Sequence, residues 1–127
     1  MTTKYPLITK FILENTNSRL CINAWIPEDP FNIYLRMSFR YIDNTQHRTI
    51  EIANVYVVEE SERSKKHFTK LLEYIESNFS EIIYVENVFE DRFKDFFIKR
   101  GYIKFEESRM DMAETPNSYY LPERKLK

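Results

Sequence analysis

The chain has 127 residues, 43% hydrophobic and 16% aromatic, enough to close one core and too few for two ordinary domains. Lys+Arg of 19 against Asp+Glu of 20 leaves a net charge of −1, which excludes the basic excess that generic nucleic-acid binding or an anionic membrane surface requires. The single cysteine, Cys21, excludes an internal disulfide framework and a thiolate-only zinc cage, fits a cytoplasmic setting, and is expected as a small buried apolar residue.

The opening MTTKYPLITKFILENTN carries no long apolar run, so neither a signal peptide nor a membrane span is expected. Residues 19–26 (RLCINAWI) read as a first strand and residues 27–30 (PEDP) as the turn after it. Ile33, Leu35, Met37, Phe39 and Tyr41 then alternate with Tyr34, Arg36, Ser38 and Arg40, the pattern of a half-buried strand. The polar DNTQ at 43–46 reads as a second hairpin loop, returning through residues 48–58 (RTIEIANVYVV), a strand rich in β-branched side chains. Residues 81–85 (EIIYV) form a short apolar strand of the kind buried in a mixed sheet.

Two helices are predicted among these strands. In the stretch ERSKKHFTKLLEYIE, residues 62–76, Phe68, Leu71, Leu72, Ile75 and the following Phe79 share one face. Its charges oppose the helix dipole: Arg63, Lys65, Lys66 and Lys70 crowd the N-terminal end, and Glu73 and Glu76 lie near the C-terminal end. The second helix, residues 90–100, is oriented as the dipole favours, with Glu90 and Asp91 first and Lys99 and Arg100 last. Its stripe of Phe89, Phe93, Phe96 and Phe97 is expected to face the core, and Gly101 stands as its C′ residue. The reversed charges of the first helix have two explanations. Either Glu59, Glu60 and Glu62 neutralise the lysines locally, or the helix N-terminus receives an anion such as a phosphate.

Residues 50–72 resemble the acetyl-CoA-binding motif of the GCN-five-related N-acetyltransferases (GNAT): a strand, a short loop, then R/Q-x-x-G-x-G/A opening a helix. Arg63, Ser64, Lys65, Lys66, His67, Phe68, Thr69, Lys70, Leu71 and Leu72 keep that spacing without a gap. The strand EIIYV and the helix end FIKRGY, residues 97–102, are similar to the family's next strand and its Y-x-K-x-G-F ending. The resemblance covers about half the chain, residues 49–105. It implies an α+β fold with a central mixed sheet flanked by helices and a reduced N-terminal region. It also implies acetyl-CoA as co-substrate, held by Val57, Val58, Arg63, Ser64, Lys65, Lys66, His67, Phe68 and Phe97. The acetyl acceptor would be an amine: a protein lysine, a small amine or a modified base.

The chain departs from the family pattern at defined places. Ser64, Lys66 and Phe68 stand where the family usually has glycine or alanine, and Phe97 falls where many members have the tyrosine that protonates the departing thiolate. The region before Arg19 is too short for the two substrate-binding helices of a typical member. These departures define an alternative, a catalytically silent relative that acts as a binding or inhibitor protein through protein contacts. A third reading is an unrelated α+β interaction protein.

Glu51 matches the general base of the histone-acetyltransferase members and is expected, from an apolar strand, to take the acceptor's ammonium proton. A strand glutamate facing solvent is the plainer alternative. Tyr119 and Tyr120 are expected in a last strand flanking the acceptor site, with Tyr119 the candidate acid and Tyr102 or Tyr120 its alternatives, or else as anchors for the C-terminal tail. Arg36 and Arg40 are expected to be solvated, with orientation of an anionic acceptor as their functional alternative. His67 lies in the first turn of its helix, near a bound phosphate or simply at the surface, and His47 is placed in the hairpin loop without a spaced partner. Two histidines and one cysteine out of ligand spacing give no expected metal site, and an oligomer is left open.

Overall fold

The computed structural model describes residues 4–28, 31–57, 63–86, 91–105 and 118–125. Its elements in chain order are α1 (Pro6–Asn15), β1 (Ile22–Glu28), β2 (Phe31–Ile42), β3 (Thr45–Val57), α2 (Arg63–Asn78), β4 (Ile82–Val85), α3 (Asp91–Lys99), β5 (Ile103–Lys104) and β6 (Tyr119–Leu121). The strands form one six-stranded sheet in the order β1-β2-β3-β4-β6-β5. β1, β2 and β3 are antiparallel neighbours, β3 and β4 are parallel across α2, and β4-β6-β5 is antiparallel again. The α+β class with a mixed sheet follows. None of the described helices is long and apolar enough to cross a membrane.

The β2–β3 hairpin is fixed by its turn. Asp43 and Asn44 both adopt positive φ, 53° and 64°, the conformation a two-residue type I′ turn demands and one that Asn and Asp tolerate. The loop is therefore shorter than DNTQ, and Thr45, Gln46 and His47 belong to β3. This turn sets Ile42 opposite Thr45 and, six residues along each strand, Arg36 opposite Glu51.

β1 also differs from the predicted strand. It begins at Ile22 instead of Arg19 and continues through Pro27 and Glu28, which pair with Asn32 and Phe31. Proline is compatible with an edge strand, where its missing N–H need not reach a neighbour. Cys21, expected to be buried, is exposed just before β1, with Sγ 3.4 Å from the Ser38 hydroxyl.

α1 was not foreseen from the sequence. Pro6 presets its first turn. Its N-cap, Tyr5, sits at φ 54° and makes no capping bond, so the free N–H groups find an acceptor elsewhere. Glu28 of β1 supplies it: Oε1 accepts from the N–H of Leu7 at 2.8 Å and of Ile8 at 3.2 Å. At the other end, an Arg48 Nη donates to the carbonyl of Asn15 at 2.7 Å. Both caps come from strands distant in sequence.

The three described helices all bury side chains against one face of the sheet. Ile8 and Ile12 of α1, Leu71, Leu72 and Ile75 of α2, and Phe97 of α3 join Ile33, Leu35, Met37, Ile50, Ile52, Ile83 and Val85 in a single core. The expected apolar faces are borne out for the described residues, with Phe68, Phe93 and Phe96 packed at the margin; Phe89 lies outside them. The opposite face carries a smaller cluster of Ile42, Ile82, Tyr84 and Phe105, flanked by Tyr120.

α3 ends as expected at Gly101, whose φ is 93°. The Gly101 N–H donates to Ile98 O and the Tyr102 N–H to Phe97 O, both at 3.0 Å, the two bonds of a Schellman cap. The rings of Phe97 and Tyr102 meet at 5.0 Å beneath it. A Cβ at position 101 would find only an ordinary 3.7 Å contact with Leu121, so the cost of Gly101→Ala is conformational. Urea unfolding should show a loss of roughly 1–2 kcal/mol.

Candidate functional site

β3 is held on both sides only up to its middle. It runs from Thr45 to Val57, yet pairs with β4 only from Thr49 to Ile52, opposite Ile82–Val85. The Glu86 N–H, donating to Ile52 O at 3.2 Å, closes that ladder. On its other edge the register slips at the same place: Leu35 faces Ile52 but Tyr34 faces Asn54. Ala53 is therefore the extra residue of a β-bulge, a device that frees backbone groups and bends the strand. Among the described residues, no strand pairs with β3 on the β4 side beyond Ile52.

The chain then passes through residues 58–62 into α2, so the carboxyl ends of two parallel strands and the amino end of a helix share one end of the sheet. Open sheets admit ligands at the carboxyl ends of parallel strands, and a helix N-terminus offers unpaired N–H groups to an anion. The first turn of α2 contains no acidic residue to compete for those groups. Arg63, Ser64, Lys65 and Lys66 form that turn, and Val57 ends β3; their side chains, like the whole of Val58 and of Glu59, Glu60 and Glu62, lie outside the described residues.

On the helix-free face beside this opening, Glu51 is completely buried and accepts four hydrogen bonds. Arg36 Nε donates to Oε1 at 2.7 Å, Arg40 Nε to Oε2 at 2.7 Å and an Arg40 Nη to Oε1 at 3.1 Å. The Thr49 hydroxyl donates to Oε2, also at 2.7 Å. Arg36 reaches on to Glu86 at 2.8 Å and Arg40 to within 3.7 Å of it. Burial works against the charge of either arginine, but Glu51 and Glu86 outweigh it and hold both above their ordinary value.

Three expectations are corrected here. Arg36 and Arg40 are not solvated, because the hairpin register delivers Glu51 to them. Glu51 faces neither an apolar setting nor solvent, since two guanidiniums enclose it. His47 is not in a loop and does have a partner: its Nδ1 lies 2.8 Å from the Glu123 carboxylate.

Tyr84, which the sequence reading passed over, lies under this network. Arg40 stacks on its ring at 3.8 Å from the centroid. The Tyr84 hydroxyl is buried and, among the described residues, has no hydrogen-bond partner. Burial raises its pKa, and the neighbouring Ser118 hydroxyl offsets this only in part. Glu86, equally unforeseen, is the member of the cluster that stands at the parting itself and has 21% of its side chain exposed.

The other predicted site residues separate by face. Tyr119 pairs with Val85 at the parting, but its ring is buried on the helix side, stacked on Phe97 at 6.4 Å. Glu51 projects from the opposite face, so the two predicted catalytic side chains are not brought together. Phe68 and Phe97 meet edge to face at 6.5 Å within the core margin, while His67 is exposed on α2.

The acidic end of α2 has its explanation in tertiary contacts. Glu76 pairs with Arg100, accepts the Tyr102 hydroxyl at 2.9 Å, and lies where Arg124 bonds the carbonyl of Glu76 in the last turn of the helix and that of Phe79 just beyond it. Arg100 also approaches Glu73 at 3.9 Å. These cations offset the misplaced acids. Among the described residues no three His, Cys, Asp or Glu are grouped to hold a metal ion. Comparison with family models, with curated proteins and with solved structures finds no match.

Two stability measurements test this geometry. Glu51→Gln sets two guanidiniums against a neutral amide, with only the part-exposed Glu86 left to them, and should cost about 3 kcal/mol in urea unfolding. Replacing Glu51, Arg36 and Arg40 together by Leu, Met and Met should recover most of that loss, because no buried charge is left unpaired. Tyr102 tests the other cluster: burial first, then Glu76, raise its pKa above the ordinary 10.0. The unfolded chain therefore releases this proton before the folded one does, and stability is full below pH 10.0 and falls as pH rises past it. Tyr102→Phe should show a shallower alkaline decline in melting temperature than the wild type.

Proposed function

We propose that the chain is a small GNAT-like acyltransferase that receives acetyl-CoA where β3 and β4 part and passes the acetyl group to an amine. One observation carries this reading: the bulge at Ala53 and the end of β3–β4 pairing at Ile52 coincide, just before α2 begins. Among the described residues, that coincidence leaves the β4 side of β3 between residues 53 and 57 available to the amide-bearing arm of coenzyme A, as an added strand would use it. The helix N-terminus beyond is suited to the pyrophosphate. With no glycine between residues 63 and 68 the backbone cannot approach the phosphates as closely, so the charges of Arg63, Lys65 and Lys66 supply the attraction instead.

In this reaction the amine loses a proton, its nitrogen bonds the thioester carbon, the C–S bond breaks, and the thiolate takes up a proton. Glu51 has its lone pairs filled by Arg36, Arg40 and Thr49, so its part is to fix the two arginines. Proton acceptance falls to Glu86, the carboxylate of the cluster that reaches solvent.

A second reading rests on a specific observation as well. The filled Glu51 carboxylate and the core placement of Phe97 suit a catalytically silent protein that binds acetyl-CoA and acts through contacts with another protein. The reaction products separate the two. Calorimetric titration of acetyl-CoA should show binding, and free ligand at about a hundred times its dissociation constant should stabilise the fold by roughly 2.7 kcal/mol. Ser64→Glu, which sets a carboxylate at the helix N-terminus, should abolish the binding and leave the free protein stable. Acetylated lysine peptides or amines in the mass spectrum, lost with Glu86→Gln, support the transferase. Binding without products supports the silent protein, and no heat of binding removes both.

A further inference from the structure

We propose that the free edge of β1 is a homodimer interface, in which two copies pair antiparallel about Trp25 to join their sheets. This proposal is independent of the acetyl-CoA reading. Among the described residues, β1 is the terminal strand of the sheet and is bonded only to β2. The opposite edge is blunted, since β5 has two residues and carries Lys104. β1 has seven residues and no lysine or arginine, and its one charge, Glu28, is turned inward to cap α1. Nothing on the strand repels a second one.

Antiparallel ladders alternate the direction of their backbone groups. Since Pro27 has no N–H to give β2, the groups of Asn23, Trp25 and Pro27 are those that face outward. Trp25 is the middle residue of the strand and is 49% exposed. A two-fold axis there sets Trp25 against its copy and Asn23 against the copy's Pro27. Each Trp25 N–H then reaches a Trp25 carbonyl, and each Asn23 N–H a Pro27 carbonyl. Every outward N–H of the three residues is satisfied, and the proline, which deters other registers, leaves no donor unpaired.

Side chains beside the strand are also self-complementary. A shallow groove of about 220 Å³ between α1 and β1 is lined by Leu7, Phe11, Trp25 and Pro27, with Lys10 and Glu14 on α1 as its charged residues. One cation and one anion make the groove neutral, favouring a copy of itself over an acidic or a basic partner. The two-fold axis reverses the order of the two charges in the facing copy, so each has its opposite available. Leu7, 47% exposed, is the most open of the groove's apolar residues on α1.

Sedimentation equilibrium of the full chain over a range of concentrations tests the proposal. The wild type should show a monomer–dimer equilibrium. Trp25→Lys should be monomeric throughout, with an unchanged circular dichroism spectrum. Asn23→Pro removes one outward N–H per copy without touching the β1–β2 ladder, and should weaken the dimer roughly thirtyfold for the two bonds lost. A wild type that is monomeric at every concentration overturns the proposal. So does a dimer that either substitution leaves intact.

Discussion

A carboxylate buried without solvent must be balanced where it stands, and Glu51 makes that demand at the centre of this sheet. Its position in β3 is set by the turn at Asp43 and Asn44, which delivers it opposite Arg36 and one strand away from Tyr84. Arg40 answers from the same strand as Arg36, and Thr49 from two residues before Glu51. A one-residue slip of β3 would turn the carboxylate into the helix-facing core and deprive both arginines of their buried partner. The ion cluster is thus a register lock for β2 and β3. It also fixes the point from which β3 departs, because Ile52, next in the chain, is the last residue to pair with β4.

That departure organises the end of the sheet at which the candidate site lies. A bulge on one edge and a lost neighbour on the other give β3 a stretch of backbone whose hydrogen bonds β4 does not take up. α2 follows within a few residues, with cations in place of the acids that usually begin a helix. The reversed charges of α2 then have two separate causes. At the C-terminal end the acids are held by Arg100 and bordered by Arg124, so they stabilise the packing of α2 against α3 and the tail. At the N-terminal end the first turn contains cations and no acid, and a polyanionic ligand is the partner proposed for them.

Local patterns carried most of the architecture. Alternation in β2 and β3, the apolar faces of α2 and α3, the four-residue run of β4 and the glycine stop at Gly101 are each decided by neighbours in sequence. What was hidden depends on contacts between distant segments. α1 relies on Glu28 and Arg48 for its caps, and Cys21 is exposed because β1 begins after it. The candidate site was obscured by one turn. Reading DNTQ as the loop places Glu51 opposite Ser38, whereas the two-residue turn places it opposite Arg36. With the shorter turn, the Asp-Asn pair at 43–44 would have signalled both the type I′ geometry and the ion cluster. Tyr84 and Glu86 became visible only once the parallel pairing of β4 with β3 set them beside that cluster.

The central claim is that acetyl-CoA lies along the free part of β3 and against the start of α2. Backbone amide shifts in an acetyl-CoA titration, followed by NMR on the isotope-labelled full chain, test it directly. The account predicts the largest changes at Ala53, Asn54, Val55 and the first turn of α2, with β1 and α1 undisturbed. Changes centred on the α1–β1 groove, or none at saturating ligand, would contradict it.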